Sequence, residues 1–340
     1  MMSDQKIKEE DIRPTDVFDE YLRLSASDIG KYFSDLSTRI YRKCPGCGKD
    51  TAAPVFEKND FSFMQCLKCK TLYANPCPAP EQLALFYNES PSQKFWAGTF
   101  FPVVAQTRRE KIFRPRAKKI KELYHSHISV SGKIIDVGAG AGTMLDELRA
   151  CSTGDNYLAI EPTPELAKIC RLDGLDTFEG FADDAAKDKA LIESASMVMS
   201  FEVIEHVISP VDFITDLKSL CMPGGLILVT GLCGSGFDIK ILGQNSKAVS
   251  PPHHLNFLSR VGVSKLLERC GLEEVSFTTP GVLDVDIVLN HFKKEPADIN
   301  DIFISYLLEL GDEVILEDLQ QFITNNNLSS HMWFLARKPF

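Results

Sequence analysis

From Lys133 onward the apolar residues fall into short blocks of two alternating kinds. Compact runs such as KIIDV, YLAIE, SMVMSF and LILVTGL read as strands buried on both faces. Between them lie segments with apolar residues three and four apart, which read as amphipathic helices: MLDELRAC, PELAKICRLDG, SPVDFITDLKSLCMPGG with its glycine cap, and VGVSKLLERCG. EEVSFTTPG and HMWFLARKP supply two further strands, the second closing the chain. This alternation predicts an α/β fold, a doubly wound, Rossmann-like sheet with helices on both faces. A mainly helical insertion, 285–330, interrupts the pattern before the last strand.

The first third has a different texture. Residues 1–40 read as a polar lead followed by short helices, and 41–90 as a turn-rich cysteine segment with a short helix. A helical linker or lid spans 91–130, ahead of the main domain, 131–340. With 44% hydrophobic and 25% charged residues among 340, the chain can bury a large core. Its net charge of −10 disfavours a nucleic-acid partner. The polar, mixed-charge start is unlike a signal peptide, and no apolar run is long enough to span a bilayer, so a cytoplasmic location is expected. Oligomeric state is not legible.

Four of the ten cysteines form two knuckles, Cys44-Pro45-Gly46-Cys47 and Cys66-Leu67-Lys68-Cys69, with 18 residues between them. That spacing predicts a closed, structural Zn²⁺ site, a zinc ribbon. Cys151, Cys170, Cys221 and Cys270 read as packing residues on helix faces.

The turn Asp136-Val137-Gly138-Ala139-Gly140-Ala141-Gly142 follows a strand and opens a helix. Its small residues let a ligand approach the backbone and the free N–H groups of the helix start. The next strand ends in Glu161, 19 residues past Gly142, where a carboxylate can accept from ribose hydroxyls. These residues resemble the first and second motifs of class I S-adenosylmethionine (SAM)-dependent methyltransferases, and Glu179-Gly180-Phe181-Ala182 resembles their adenine-contacting stretch more loosely. The resemblance covers about residues 130–280 plus the last strand. It implies SAM as cofactor, contacted by Asp136, Gly138, Ala139, Gly140, Gly142, Glu161, Phe181 and Ala182, and by Phe201 and Glu202 at the end of the fourth strand.

That strand runs into Phe201-Glu202-Val203-Ile204-Glu205-His206-Val207, and Pro252-His253-His254-Leu255-Asn256-Phe257 follows the next strand. Two carboxylates and an imidazole at a sheet's carboxyl edge suit a divalent metal, a general base, or a structural cap on the next helix. The pattern resembles metal-dependent O-methyltransferases of ubiquinone biosynthesis and of small-RNA 3′ ends. The resemblance implies that Glu202, Glu205, His206 and a distal histidine, His254 in preference to His253, hold a second divalent metal or act in catalysis.

A further resemblance joins the ribbon, Leu72-Tyr73-Ala74-Asn75-Pro76, the helix ending Phe86-Tyr87 and the segment His254-Leu255-Asn256-Phe257. This arrangement is similar to bacterial methyltransferases of sugar and surface-polysaccharide pathways, in which the ribbon helps to wall the acceptor pocket. It implies a small hydroxylated acceptor, a sugar or nucleotide-linked sugar of a glycan pathway. An RNA or quinone-type acceptor and a non-catalytic SAM-binding role are the alternatives, with a dehydrogenase more distant. Arg108, Arg109, Arg114 and Arg116 form either a phosphate grip or a solvated helix face; Tyr87, Phe95 and Trp96 line an acceptor pocket or pack in the core. His291 and His331 have no assigned role.

Overall fold

The computed structural model describes residues 7–154 and 156–340, so the start of the polar lead (1–6) lies outside the described residues. In place of several short helices, residues up to 40 form mainly one long helix, Thr15–Tyr32, that buries Phe18, Tyr21, Ile29 and Tyr32. The ribbon follows with strands β1 (Ala52–Lys58), β2 (Phe61–Cys66) and β3 (Leu72–Ala74).

The main domain contributes β4 (Lys133–Val137), β5 (Tyr157–Glu161), β6 (Asp176–Glu179), β7 (Ala195–Phe201) and β8 (Cys221–Leu232). Later come the two-residue β9 (Asn256–Phe257), then β10 (Glu273–Thr278) and β11 (His331–Arg337). Seven of them form one sheet in the order β10-β11-β8-β7-β4-β5-β6. All pairs from β8 to β6 are parallel, and β11 runs antiparallel to both β8 and β10.

Alternate residues of the central strands enter opposite cores, as the two-residue strand period requires. Ile135 and Val137 pack with the helices Pro210–Leu220 and Arg260–Cys270. Ile134 packs with Arg114–His127 and Thr143–Ala150 on the other face. Helix Pro210–Leu220 starts where Ser209 Oγ accepts from Asp212 N and Pro210 occupies the first turn. The segment after it, expected as a glycine cap, is the beginning of β8. Cys221 pairs with Ala195, and Gly224 N donates to Lys338 O, so Cys221 is a strand residue and not a helix-face one.

Two connections differ from the simple pattern. The run Pro91–His127 is one helical rod interrupted by π-turns at Trp96–Phe100 and Arg109–Phe113. Each π-turn precedes a proline, Pro102 or Pro115, whose missing N–H removes an α-helical donor. The insertion folds as the helices Asp284–Phe292, Ile302–Leu310 and Glu313–Asn325, with their own small core around Val288, Leu308 and Ile323.

The ribbon is continuous with the main domain. β3 pairs with β9, Leu72 opposite Phe257 and Tyr73 opposite Asn256, completing a four-stranded sheet β1-β2-β3-β9. Arg42 donates to Ile208 O (2.6 Å) and Leu255 O (2.9 Å), and Arg269 donates to Pro45 O and Gly46 O.

Candidate functional site

The four ribbon cysteines converge. Cys44 Sγ lies 3.5 Å from Cys69 Sγ, Cys47 Sγ lies 3.5 Å from Cys66 Sγ, and all four sulfurs lie within 4.8 Å of one another. Tetrahedral Zn–S bonds of about 2.3 Å imply sulfur separations of roughly 3.8 Å, so this donor set fits Zn²⁺. Both knuckles close in the same way: Gly48 N donates to Cys44 O and Lys70 N to Cys66 O, each from a residue at positive φ.

The glycine turn sits at the carboxyl ends of β4 and β5. Gly138, Gly140 and Gly142 all have positive φ. A Cβ on Gly142 would meet Leu175 Cδ1 at 2.5 Å, whereas one on Gly140 would meet nothing within 4 Å. Gly142 thus serves internal packing, and Gly140 faces the open space where a cofactor would lie. Glu161 is buried; its Oε2 accepts from Gly140 N (2.8 Å) and its Oε1 from Thr163 N (2.9 Å), which fixes the carboxylate against the turn. Asp136 is buried with Oδ1 unpartnered, and burial, then the Glu161 charge, push its carboxyl up to about 8. An orphaned buried carboxyl oxygen beside open glycine backbone can accept from a ligand with hydrogen-bond donors, as SAM is. Ala139 and Phe201 are half-buried nearby in the same core, Phe181 is exposed at the rim, and Ala182 begins a short helix.

The Glu-x-x-Glu-His segment divides. Glu205, His206 and His254 bring ligand atoms within 4.8 Å of one another. Glu205 is 1% exposed, its Oε2 has no hydrogen-bond partner, and it is seated where Gly231 of β8 leaves room. Burial, then the Glu202 charge, raise its carboxyl well above the usual range. His254 Nδ1 lies 2.6 Å from Ala248 O; this nitrogen must carry the proton, which leaves Nε2 with a free lone pair. His206 Nδ1 meets the Tyr87 hydroxyl at 3.2 Å. Burial above all lowers His206 to about 3 and His254 to about 4, so both rings are neutral near pH 7.

Glu202 does not join them. Its backbone is left-handed, φ +56°, and its Oε1 accepts from Thr230 Oγ1 (2.7 Å) and faces His331 Nε2 (2.6 Å) and Arg116 (3.6 Å). The expectation that Glu202 completes a four-ligand metal set is therefore corrected: the turn swings it toward β8 and β11 instead. Burial would raise its carboxyl, but His331, Arg116 and Thr230 hold it well below the usual range. His253 also points away, with Nδ1 3.0 Å from Gln93 Nε2.

His331, Arg116 and Tyr87 are the contributors that the sequence leaves unassigned or open. Each comes from a different element, and no spacing links them to the Glu-x-x-Glu-His segment. Trp96 packs against Phe100, with ring centroids 4.3 Å apart, and Phe95 joins the same cluster; both are half-buried packing residues.

The glycine turn and the acidic strand end at the carboxyl edge of this sheet have the arrangement that doubly wound folds use to bind nucleotides. The methyltransferase domain family matches residues 106–276, half of the chain. The chain belongs to this family of class I SAM-dependent methyltransferase domains. It is similar to a ubiquinone biosynthesis O-methyltransferase of Xanthomonas axonopodis pv. citri (strain 306), 26% identical over 151 residues that make up 42% of this chain and 62% of that protein. The protein of the same name from Xylella fastidiosa (strain M23) is 30% identical over 111 residues, 30% of this chain and 43% of that protein. The chain thus spans less than two thirds of the length of these relatives. Among solved structures, a SAM-dependent methyltransferase from Archaeoglobus fulgidus aligns with 66% of this chain and 94% of its own, at 15% identity and a TM-score of 0.43. No helix among the described residues is long and apolar enough to cross a membrane.

Proposed function

We propose that this chain transfers a methyl group from SAM to a hydroxyl of a small acceptor bound at Glu205, His206 and His254. The observation that carries the reading is the convergence of these three side chains, with Glu205 Oε2 unpartnered, at the segment whose Val203 packs against Gly138 of the glycine turn. Asp136, Gly138, Gly140 and Glu161 hold the cofactor, with Phe181 at the rim of the adenine site. The methyl moves by in-line displacement from a sulfonium, so alignment and exclusion of water are the main tasks. Carboxylate and imidazole donors fit a divalent cation such as Mg²⁺, Mn²⁺, Fe²⁺ or Zn²⁺. When bound, the cation would lower the pKa of the acceptor hydroxyl. His254, with its Nδ1 proton given to Ala248 O, presents a lone pair either to that cation or to the acceptor proton. The zinc ribbon is a closed structural site with no part in the chemistry.

A phenolic hydroxyl is the first acceptor class, because the relatives named above act, by their names, in ubiquinone biosynthesis as O-methyltransferases. A hydroxyl of a sugar or nucleotide-linked sugar is the second, supported by the ribbon resemblance. RNA is disfavoured by the net charge of −10. The test is transfer of labelled methyl from SAM to a panel of catechols, sugar phosphates and nucleotide sugars, on wild type and on Glu205→Ala, His254→Ala and Glu202→Gln. O-methylation that falls at least 100-fold in the first two, with intact SAM binding, is expected. Unchanged transfer in Glu205→Ala and His254→Ala sinks the assignment.

A further inference from the structure

His254 lies on the connection between the helix Phe237–Leu242 and β9, and that connection holds its ring. Nδ1 lies 2.6 Å from Ala248 O, and the backbone N of His254 donates to Ser250 O at 3.0 Å. The direction of the ring is therefore only as fixed as Ala248. Ala248 is in turn held by Ser246, whose Oγ accepts from Ala248 N (3.2 Å) and whose O accepts from Val249 N (3.1 Å). Ser246, Ala248 and Val249 are all buried.

Two lysines secure this loop from opposite sides. Lys58, at the end of β1 in the ribbon, donates from Nζ to Ser246 O at 2.8 Å. Burial draws its ammonium down to about 8, so the contact is made at a cost in hydration. Lys247 is the second, and its Nζ pairs with Glu9 Oε1 at 3.1 Å.

Glu9 is itself fastened elsewhere. Its backbone N donates to Asp286 Oδ2 (2.7 Å) and its Oε2 accepts from Asn290 Nδ2 (3.2 Å), both on the insertion helix Asp284–Phe292. Two residues further on, Asp11 pairs with Lys111 of the rod at 2.8 Å. The short helix Glu9–Ile12 thus bridges the insertion, the rod and the loop before His254. Exposed ion pairs contribute little, but the Glu9 side chain is only 4% exposed, where screening is weak. Attachment of the first helix alone would account for its bonds to the insertion and the rod. It does not account for two charged contacts, from the ribbon and from the first helix, ending on the consecutive residues Ser246 and Lys247, directly ahead of Ala248.

We propose that Lys58, Lys247 and Glu9 are positioning residues of the transfer site, acting through Ala248 O to hold the His254 ring beside Glu205 and His206. The inference rests on the methyltransferase reading above, and it gives the ribbon, the first helix and the insertion a shared part in that site. A group misplaced by about 1 Å can lose on the order of 100-fold in rate. An imidazole whose Nδ1 loses its acceptor is also free to take either tautomer.

The test records magnetic resonance of isotope-labelled histidine ring nitrogens in the full chain with saturating S-adenosylhomocysteine. His254→Gln identifies the His254 signals among the seven histidines. Wild type is expected to show a single tautomer protonated at Nδ1. Lys247→Met and Lys58→Met are expected to populate both tautomers, and Lys247→Arg, which keeps the charge, to retain the wild-type signals. Lys247→Met leaves Glu9 with Arg13 and Asn290, so the buried carboxylate stays paired and the chain is expected to fold. Glu9→Gln weakens the same link without emptying the site, and serves if a methionine variant unfolds. On an acceptor from the panel above, kcat falls at least tenfold in the methionine variants, while S-adenosylhomocysteine affinity stays within twofold. Wild-type His254 signals in both Lys247→Met and Lys58→Met overturn the proposal, even with a lowered melting temperature, because the lysines then serve stability alone. A change in one variant only confines the role to that residue. Wild-type His254 protonated at Nε2 also overturns the proposal. If His254→Ala transfers methyl at the wild-type rate, the transfer reading fails, and the ring signals still decide whether the loop fixes His254.

Discussion

Asn256 pairs with Tyr73 of the ribbon through its backbone, and its side-chain Nδ2 donates to Ile204 O (3.1 Å) and Val207 O (2.6 Å) of the Glu-His segment. Leu255 N and Asn256 N also donate to Glu205 O. One short strand therefore ties the ribbon to Glu205 and His206 while carrying His254 just ahead of it.

Asn256→Ala is expected to leave two buried carbonyls without donors. At about 1–3 kcal/mol for each unsatisfied group, stability should fall by roughly 3 kcal/mol in urea unfolding. Methyl transfer should fall further than SAM affinity, because the loop that sets Glu205 and His206 is loosened while the glycine turn is untouched.

Metal analysis of protein purified without chelator should give one zinc per chain that is lost in Cys44→Ser/Cys47→Ser. The zinc-free variant should melt lower and lose transfer activity through displacement of β9, with SAM binding retained. A second metal that survives the cysteine changes but disappears in Glu205→Ala would identify the Glu205, His206 and His254 cluster as its site.

Gly140→Ala and Gly142→Ala separate cofactor space from packing. Both place a side chain at positive φ, at a cost of about 1 kcal/mol. Gly142→Ala adds the clash with Leu175 and should lose a further 1–3 kcal/mol of stability on thermal or urea unfolding. Gly140→Ala should stay near the smaller loss yet weaken SAM binding at least tenfold by calorimetry.

Asp136 gives a pH signature. Its carboxyl is raised to about 8 by burial, then by Glu161, from an unfolded value near 4. The folded protein thus holds a proton that the unfolded chain has released. This contribution to stability is fully present below about pH 4 and is lost as pH rises through about 8. The slope of cofactor-free protein should be on the order of 1 kcal/mol per pH unit in that window, and Asp136→Asn should flatten it. Equal slopes in the two proteins would show that Asp136 ionises normally.

Much of this was readable along the chain. The strand and helix runs after Lys133, the glycine turn, Glu161 and the two cysteine knuckles are local patterns whose spacing already implies a geometry. The start of β8 was not, because Cys221 to Gly225 carries helix-cap residues and becomes strand only through pairing with β7. Nor was the single helix Thr15–Tyr32, whose apolar stripe is loose in sequence and is fixed by packing against Phe100 and Trp96.

The amino-acid order determined the sheet, the glycine turn and the cysteine knuckles, since each depends on neighbours within a few residues. Tertiary structure decided how the polar residues at the sheet's carboxyl edge were shared out. It turned Glu202 away from Glu205 toward His331, chose His254 over His253, and placed a strand of the main domain in the ribbon sheet. Those choices join residues far apart in the chain, such as Tyr73 and Asn256, and contact between distant segments is set by packing and hydrogen-bond satisfaction rather than by sequence spacing.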